Sequence, residues 1–441
     1  MIPDDFRKFL MDVRARARAY LRPPEGGSLT TAEERRRAFQ ILFLSLVCLG
    51  SGQSIMFAIL PPLSRDLGLS EFQVGLIFAI SATIWIFSSP YWGRWSDLYG
   101  RRPMMLMGLN AFGISTLLFA SVMWFGMHGL LWGWLVYPLM IAARSIYGVF
   151  GSGTFPSAQA YIADRTSREE RASGVATITA AFGLGVALGP GVGALVARID
   201  ILAPFYVVSV AAFVSALAIY LLLPERTAPK AADTVPAMSW RDRRVLPFLI
   251  YGTALNSVGA LPIQLYGFFL MDQLGYGKEQ AAEFSGVGLM ASSIAALLAQ
   301  FVVVQRFRLS SRALVQWGGV IALVSNVLFV FGSSYGILTF AMVLSGLGFG
   351  MARPGFAAAA SLAVRPEEQG AVAGLVGATG GAGFIFAPII GNFLYEFEPT
   401  LPFIVGGVLM AGLLLYAVFN PTMRNMSDDV PDTPESGIPK S

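Results

Sequence analysis

The sequence predicts an all-α membrane protein with twelve transmembrane helices in two pseudo-symmetric six-helix bundles. Three observations predict it. The 441 residues are 55% hydrophobic and 13% charged, about half the charge of a soluble domain. Their apolar residues fall into twelve blocks, each long enough to cross a hydrocarbon core of about 30 Å. The second half of the chain also repeats features of the first at a fixed offset. In lipid, backbone groups must be bonded within their own segment, so the blocks read as helices and not strands.

The blocks lie near 37–60, 72–92, 103–125, 131–158, 172–197, 203–223, 245–271, 280–304, 312–332, 334–360, 369–395 and 401–420. They are called spans 1–12 below. Residues 1–36 precede them. There Phe6, Phe9, Leu10, Val13, Ala17, Tyr20 and Leu21 share one helical face, with Arg and Lys mostly elsewhere. This reads as a basic amphipathic helix on the membrane surface, or as a solvated tail. A charged start followed by a full-length span gives no expectation of a cleaved leader. Residues 224–244, polar and basic at the end, read as a linker between bundles 37–223 and 245–420. Residues 421–441 read as a polar cytoplasmic tail.

The repeat has an offset of 198 residues. Gly148 maps to Gly346, Pro156 to Pro354, Glu169-Glu170 to Glu367-Glu368, Gly185 to Gly383, Pro190 to Pro388 and Gly193 to Gly391. One register across such different residue types is hard to get by chance, so spans 4–5 recur as spans 10–11. Parallel repeats place a binding site near the midplane, between the halves. A weaker match pairs Leu67-Gly68 with Leu274-Gly275.

Charge placement sets the orientation. The loops on the side of the termini hold fifteen Lys or Arg, and those on the opposite side hold Arg65, Arg198 and Lys278. This bias puts both termini in the cytoplasm. It also accounts for the net charge of +4 without a nucleic-acid partner. The single cysteine, Cys48, has no internal disulfide partner, and the only histidine, His128, lies in a loop. No metal site or cofactor is expected.

Ionisable groups inside spans are the natural functional candidates, because each is costly there. Arg144 lies near the middle of span 4 and Arg353 in the inner half of span 10; no Asp or Glu lies well inside any span. Arg144 reads as a cavity-facing cation, and Arg353 either as a second one or as a side chain reaching the surface. Gln53 in span 1, with Asn256 and Gln264 nearly on one face of span 7, are expected to add polar contacts. Met56, Phe57, Tyr251, Phe268 and Phe269 are candidate apolar walls.

Three motifs carry more. Gly93-Arg94-Trp95-Ser96-Asp97-Leu98-Tyr99-Gly100-Arg101-Arg102 stands between spans 2 and 3, where a short charged turn is expected. Arg144 opens Arg144-Ser145-Ile146-Tyr147-Gly148. Span 5 carries Gly185-x-x-x-Gly189-Pro190-x-x-Gly193, small residues at a spacing that lets helices approach closely. In order and spacing these resemble the G-x-x-x-D-x-x-G-R-R loop, the helix 4 motif and the G-x-x-x-G-P-x-x-G-G signature of the twelve-helix drug:proton antiporters of the major facilitator superfamily, tetracycline pumps included. Tyr147 stands where the family usually has Gln.

The resemblance implies the major facilitator fold, small-molecule export by rocking of the two halves, and protons as the coupled partner. It implies that Asp97, Arg101 and Asp164, with Gly93, Gly100 and Arg102, govern conformational switching. Tetracycline-type pumps also carry carboxylates in helices 1 and 3; the nearest positions here are Ser51 and Ser115. Proton coupling therefore lacks its usual residue. The rival reading is a carrier of an organic anion held by Arg144. An enzyme is not expected, since no nucleophile–base pair falls within the spans. The expected setting is a bacterial inner membrane, with the chain acting as a monomer.

Overall fold

Every predicted block forms a helix. The computed structural model describes residues 32–164, 171–223, 238–307, 309–365 and 368–424, and among these it leaves out a few side chains, including that of Asp97. The expected amphipathic helix, most of the linker, Arg165, Arg168 and residues 425–441 lie outside the described residues. The helices are α1 (Ala32–Ser64), α2 (Glu71–Tyr99), α3 (Arg101–Met127), α4 (Gly133–Phe150, continued by Gly151–Gly153 and Thr154–Ala163), α5 (Arg171–Ala197) and α6 (Ala203–Leu222). The second bundle has α7 (Leu246–Leu274), α8 (Lys278–Leu298), α9 (Ser311–Phe331), α10 (Tyr335–Leu362), α11 (Gln369–Phe386, continued by Ala387–Gly391 and Asn392–Phe397) and α12 (Leu401–Phe419). Among the described residues twelve helices are long and apolar enough to cross a membrane, and there is no strand. The Arg- and Lys-rich loops share the side of the chain ends, the basic end. The opposite side is the far end.

Two boundaries differ from expectation for identifiable reasons. Span 1 was expected to end near residue 60, but α1 continues through Pro61 and Pro62. Pro62 has no N–H for the Ala58 carbonyl. Ser285 Oγ of α8 donates to that carbonyl instead, at 2.9 Å, so the vacancy in α1 becomes a bond between the bundles. The charged turn between spans 2 and 3 is also mostly helix. Nothing in Arg94–Tyr99 breaks a helix, and Arg94, Leu98 and Tyr99 are exposed at its surface. The reversal is confined to Gly100, whose φ of 102° a side chain would strain. Gly93 lies within α2 and faces open space.

The repeat in sequence is a repeat in packing. A Cβ on Gly185 of α5 would collide with the Val47 carbonyl of α1, and one on Gly383 of α11 would lie 2.7 Å from backbone of Asn256 in α7. Gly148 brings α4 against the Ser81 carbonyl of α2, and Gly346 brings α10 against the Ser292 carbonyl of α8. Buried Ser115 donates to the Ala143 carbonyl at 2.7 Å, and Ser325 to the Ala341 carbonyl at 2.7 Å. Between the bundles, Gly286 of α8 sits on the Pro190 carbonyl and Gly75 of α2 on the Pro388 carbonyl. Interior hydrocarbon gives no preference for one helix pair over another in lipid, so such small-residue contacts select the partners.

Candidate functional site

Arg144 is 11 residues into α4, about 16 Å along a helix rising about 1.5 Å per residue, which puts it near mid-membrane. It lines a cavity of about 420 Å³ between the bundles. Its Nη2 donates to Gln53 Oε1 of α1, and its guanidinium lies 5.1 Å from the centre of the Tyr147 ring. Nε and Nη1 have no hydrogen-bond partner, although the residue is only 5% exposed. Ser292 and Ser293 of α8 add hydroxyls to the opposite wall. The rest is largely apolar. Phe57 packs 4.7 Å from Phe78 and 5.9 Å from Phe384 of the other bundle, ring centre to ring centre, forming a roof towards the far end.

The other polar candidates do not line this cavity. Asn256 donates to the Gly252 carbonyl at 2.8 Å and to Thr379 Oγ1 at 3.3 Å, tying α7 to α11. Gln264 is buried, and neither end of its amide has a partner. Arg353 is held inside the second bundle, between Gly259 of α7 and the Phe349 ring at 5.6 Å. Eight residues along a helix turn the direction by about 80°, enough to put Asn256 and Gln264 in different packing environments. Among the expected wall residues, Phe57 lines the cavity, whereas Tyr251, Phe268 and Phe269 are core.

At the basic end, buried Arg101 joins three helices. Its Nη1 donates to Ser96 Oγ of α2 at 2.6 Å, and its Nε lies 3.3 Å from Asp164 Oδ2 after α4. Arg102 reaches the Tyr220 carbonyl of α6 and lies over that ring. The side chain of Asp97 lies outside the described residues. In α5, Gly185, Gly189 and Gly193 all press against α1, while Pro190 lines the cavity.

The far end is closed by charges that cross between the bundles. Arg65 makes a two-pronged bond with Asp272, both distances 2.7 Å, and also holds Glu71 of its own bundle at 2.6 Å. Tyr395 Oη donates to Asp272 Oδ2 at 2.8 Å. Lys278 pairs with Asp66, and Arg198 with Glu283. Asn392 Nδ2 donates to the Glu71 carbonyl at 2.7 Å, and the Phe72 N–H to Glu396 Oε1 at 3.1 Å. On the α11 wall of the cavity, a Cβ on Gly377 or Gly380 would meet nothing within 4 Å, and neither would one on Gly374, one turn nearer the basic end.

A cavity at the seam of two repeated six-helix bundles is a carrier's architecture, and the chain's likeness to known proteins agrees. The profile of the Major Facilitator Superfamily matches residues 42–315 and 282–437. The chain belongs to the major facilitator superfamily. It is 26% identical over 406 residues to Multidrug resistance protein 2 of Bacillus subtilis (strain 168), covering 88% of this chain and 96% of that one. It is 25% identical over 390 residues to the class B tetracycline resistance protein of Escherichia coli, covering 83% and 90%. Among solved structures, the nucleoside transporter NupG shares the fold with a TM-score of 0.69 at 13% identity, covering 87% of this chain and 98% of that one. This facilitator is thus a multi-pass membrane transporter.

The far-end charges are the part of the transporter that reading the sequence missed, beyond counting Arg65, Arg198 and Lys278 among the loops of that side. A signal was present. At an offset of 207 residues Leu67-Gly68 matches Leu274-Gly275, and both glycines end their helices with φ near 70° (70° and 69°). The same offset carries Arg65 onto Asp272 and Glu71 onto Lys278. Residues equivalent under a pseudo-twofold meet near its axis, where like charges would repel and opposite ones pair.

Proposed function

We propose that this facilitator exports amphipathic small molecules across a bacterial inner membrane by alternating access. The observation that carries the proposal is the cavity itself. It lies at the bundle seam near mid-membrane, is walled by Phe57, Phe78 and Phe384, and is supplied with a few polar groups by Gln53, Arg144 and Tyr147. Such a lining suits a molecule with an apolar body and one polar head. With the basic end in the cytoplasm, the arrangement is inward-open: loading takes place from the cytoplasm while the Arg65–Asp272 pair holds the far end shut. Release requires those pairs to break and the basic end to close, with Asp97, Arg101 and Asp164 at the site where that closure is governed. That two bacterial relatives are a multidrug and a tetracycline resistance protein favours export over uptake. Proton antiport is the coupling that the family motifs imply. Here it must run on acids near helix ends, because the described residues place none deep in a span.

The test is dye movement in proteoliposomes holding the full chain, using amphipaths of each charge type. Protein-dependent movement of at least one of them, stopped by bulky substitution of the cavity wall at Ser292, is the expected result. Movement no faster than in protein-free vesicles for every compound would exclude the proposal.

A further inference from the structure

We infer that the cavity selects amphipathic organic monoanions, a carboxylate or sulfonate on an aromatic body, with Arg144 as the counter-charge. The inference rests on the cavity being the substrate site. A guanidinium in a low-dielectric span is expensive, and chains that keep one give it a partner. Arg144 has only a neutral one. Gln53 takes Nη2, and the Tyr147 ring offers a π-face, but Nε and Nη1 are unfilled. Among the described residues no acid is placed to supply the missing charge. Every described Asp and Glu lies within about two helical turns of a helix end or in a loop, and the nearby acids of the far end already hold Arg65, Lys278 and Arg198. Among the described residues the only other guanidinium deep within a span is that of Arg353, also without an acid. The described interior thus carries two cations and no anion, so its potential is positive and it repels cationic guests.

The geometry fits one planar acid head. A fork-shaped donor set with free N–H groups matches carboxylate or sulfonate oxygens. The apolar body then lies against Phe57, Phe78 and Phe384, within van der Waals reach of the same cavity. A volume of about 420 Å³ falls in the range of drug-sized ligands.

The test uses the full chain in phosphatidylcholine nanodiscs. Its probes are 8-anilinonaphthalene-1-sulfonate, the matched neutral N-phenyl-1-naphthylamine, and ethidium as a cation, with binding to empty nanodiscs subtracted. The sulfonate is expected to bind about ten-fold or more tighter than its neutral twin, as a charge-assisted pair gives. Arg144→Gln should remove that advantage and leave the neutral compound within about two-fold, while Arg144→Lys should restore part of it. A Arg144→Gln protein that is monodisperse and still binds the neutral compound has kept its fold. Equal binding of sulfonate and neutral compound by the unaltered protein, preference for ethidium, or equal losses of both naphthalenes in Arg144→Gln would overturn the inference. Adding phosphatidylglycerol separates the two sources of an anionic head. Competitive loss of sulfonate binding would assign the site to a lipid and also overturn it. Transport of neutral or cationic dyes without anion preference sinks this inference alone. Absence of transport for all dyes sinks the export proposal with it.

Discussion

At the scale of single residues, the charged groups divide by what surrounds them. Arg144, deep in a span beside Gln53 and the Tyr147 ring, keeps Nε and Nη1 unfilled, whereas Arg244 at the basic end is exposed and engaged by two carboxylates. Arg244 bonds Asp242 at 2.8 Å and Glu368 at 2.9 Å, linking the entries to α7 and α11. Its hydrogen bonds hold both carboxylates below their ordinary pKa. A carboxylate depressed in the folded state stabilises the fold above its ordinary pKa of about 4, and that contribution is lost as pH falls through the lower folded value. Glu368→Gln is therefore expected to lower the melting temperature slightly and equally from neutral pH down to about pH 5. The difference from the parent should shrink and vanish as pH falls through the depressed folded value. Melting followed by tryptophan fluorescence checks this; a difference that grows with acid would reverse the sign. Asp97 makes a separate case. It is one acid among Arg94, Arg101 and Arg102. Asp97→Asn is expected to slow turnover several-fold with substrate affinity little changed. Weaker binding with normal turnover would remove it from the switching step.

At the scale of elements, pairing in this fold is decided by where glycine lets two helices touch. The contact between α5 and α1 at Gly185 is backbone against backbone, which cannot yield as a side chain can. Gly185→Val should cost at least about 1–3 kcal/mol and reduce the yield of folded protein. Gly183→Ala, two residues away and facing open space, should cost almost nothing. Thermal melting of the purified variants measures both. If the two cost the same, close approach is not what sets the pair.

At the scale of the whole molecule, the far-end charges clasp the two bundles together, and the proposed alternating access requires that clasp to open. Exposed ion pairs are individually weak, about 0–1 kcal/mol, so the clasp is strong only as a network and remains breakable in each cycle. Arg65→Asp should turn attraction into repulsion against Asp272 and Glu71 and widen the far end. Adding Asp272→Arg should bring back part of the closure. Spin-label distances across the far end measure this, and an unchanged distance in the single variant would mean that the clasp holds nothing. The interior charge balance also bears on energy coupling. Without an acid deep in a span to load, export should depend less on an imposed pH gradient than in a tetracycline-type pump, and the dependence that remains should survive Glu283→Gln. Strict one-for-one proton exchange abolished by Glu283→Gln would place the proton site in α8.

The sequence by itself determined the twelve crossings, the two bundles, the register of the repeat and the lone mid-span Arg144. These follow from the length of apolar runs, from spacing and from the cost of burying charge, all of which are local along the chain. The tertiary structure alone decided which polar residues meet. Gln53 and Tyr147 reach the cavity with Arg144, whereas Asn256, Gln264 and Arg353 are taken up by packing inside the second bundle. It also decided that Arg65 and Asp272, 207 positions apart, clasp each other. Periodicity fixes which face of a helix a residue occupies relative to its neighbours. What that face touches depends on the rotation and tilt of the whole helix, and these are set by close contacts such as Gly185 on Val47 and Gly383 on Asn256.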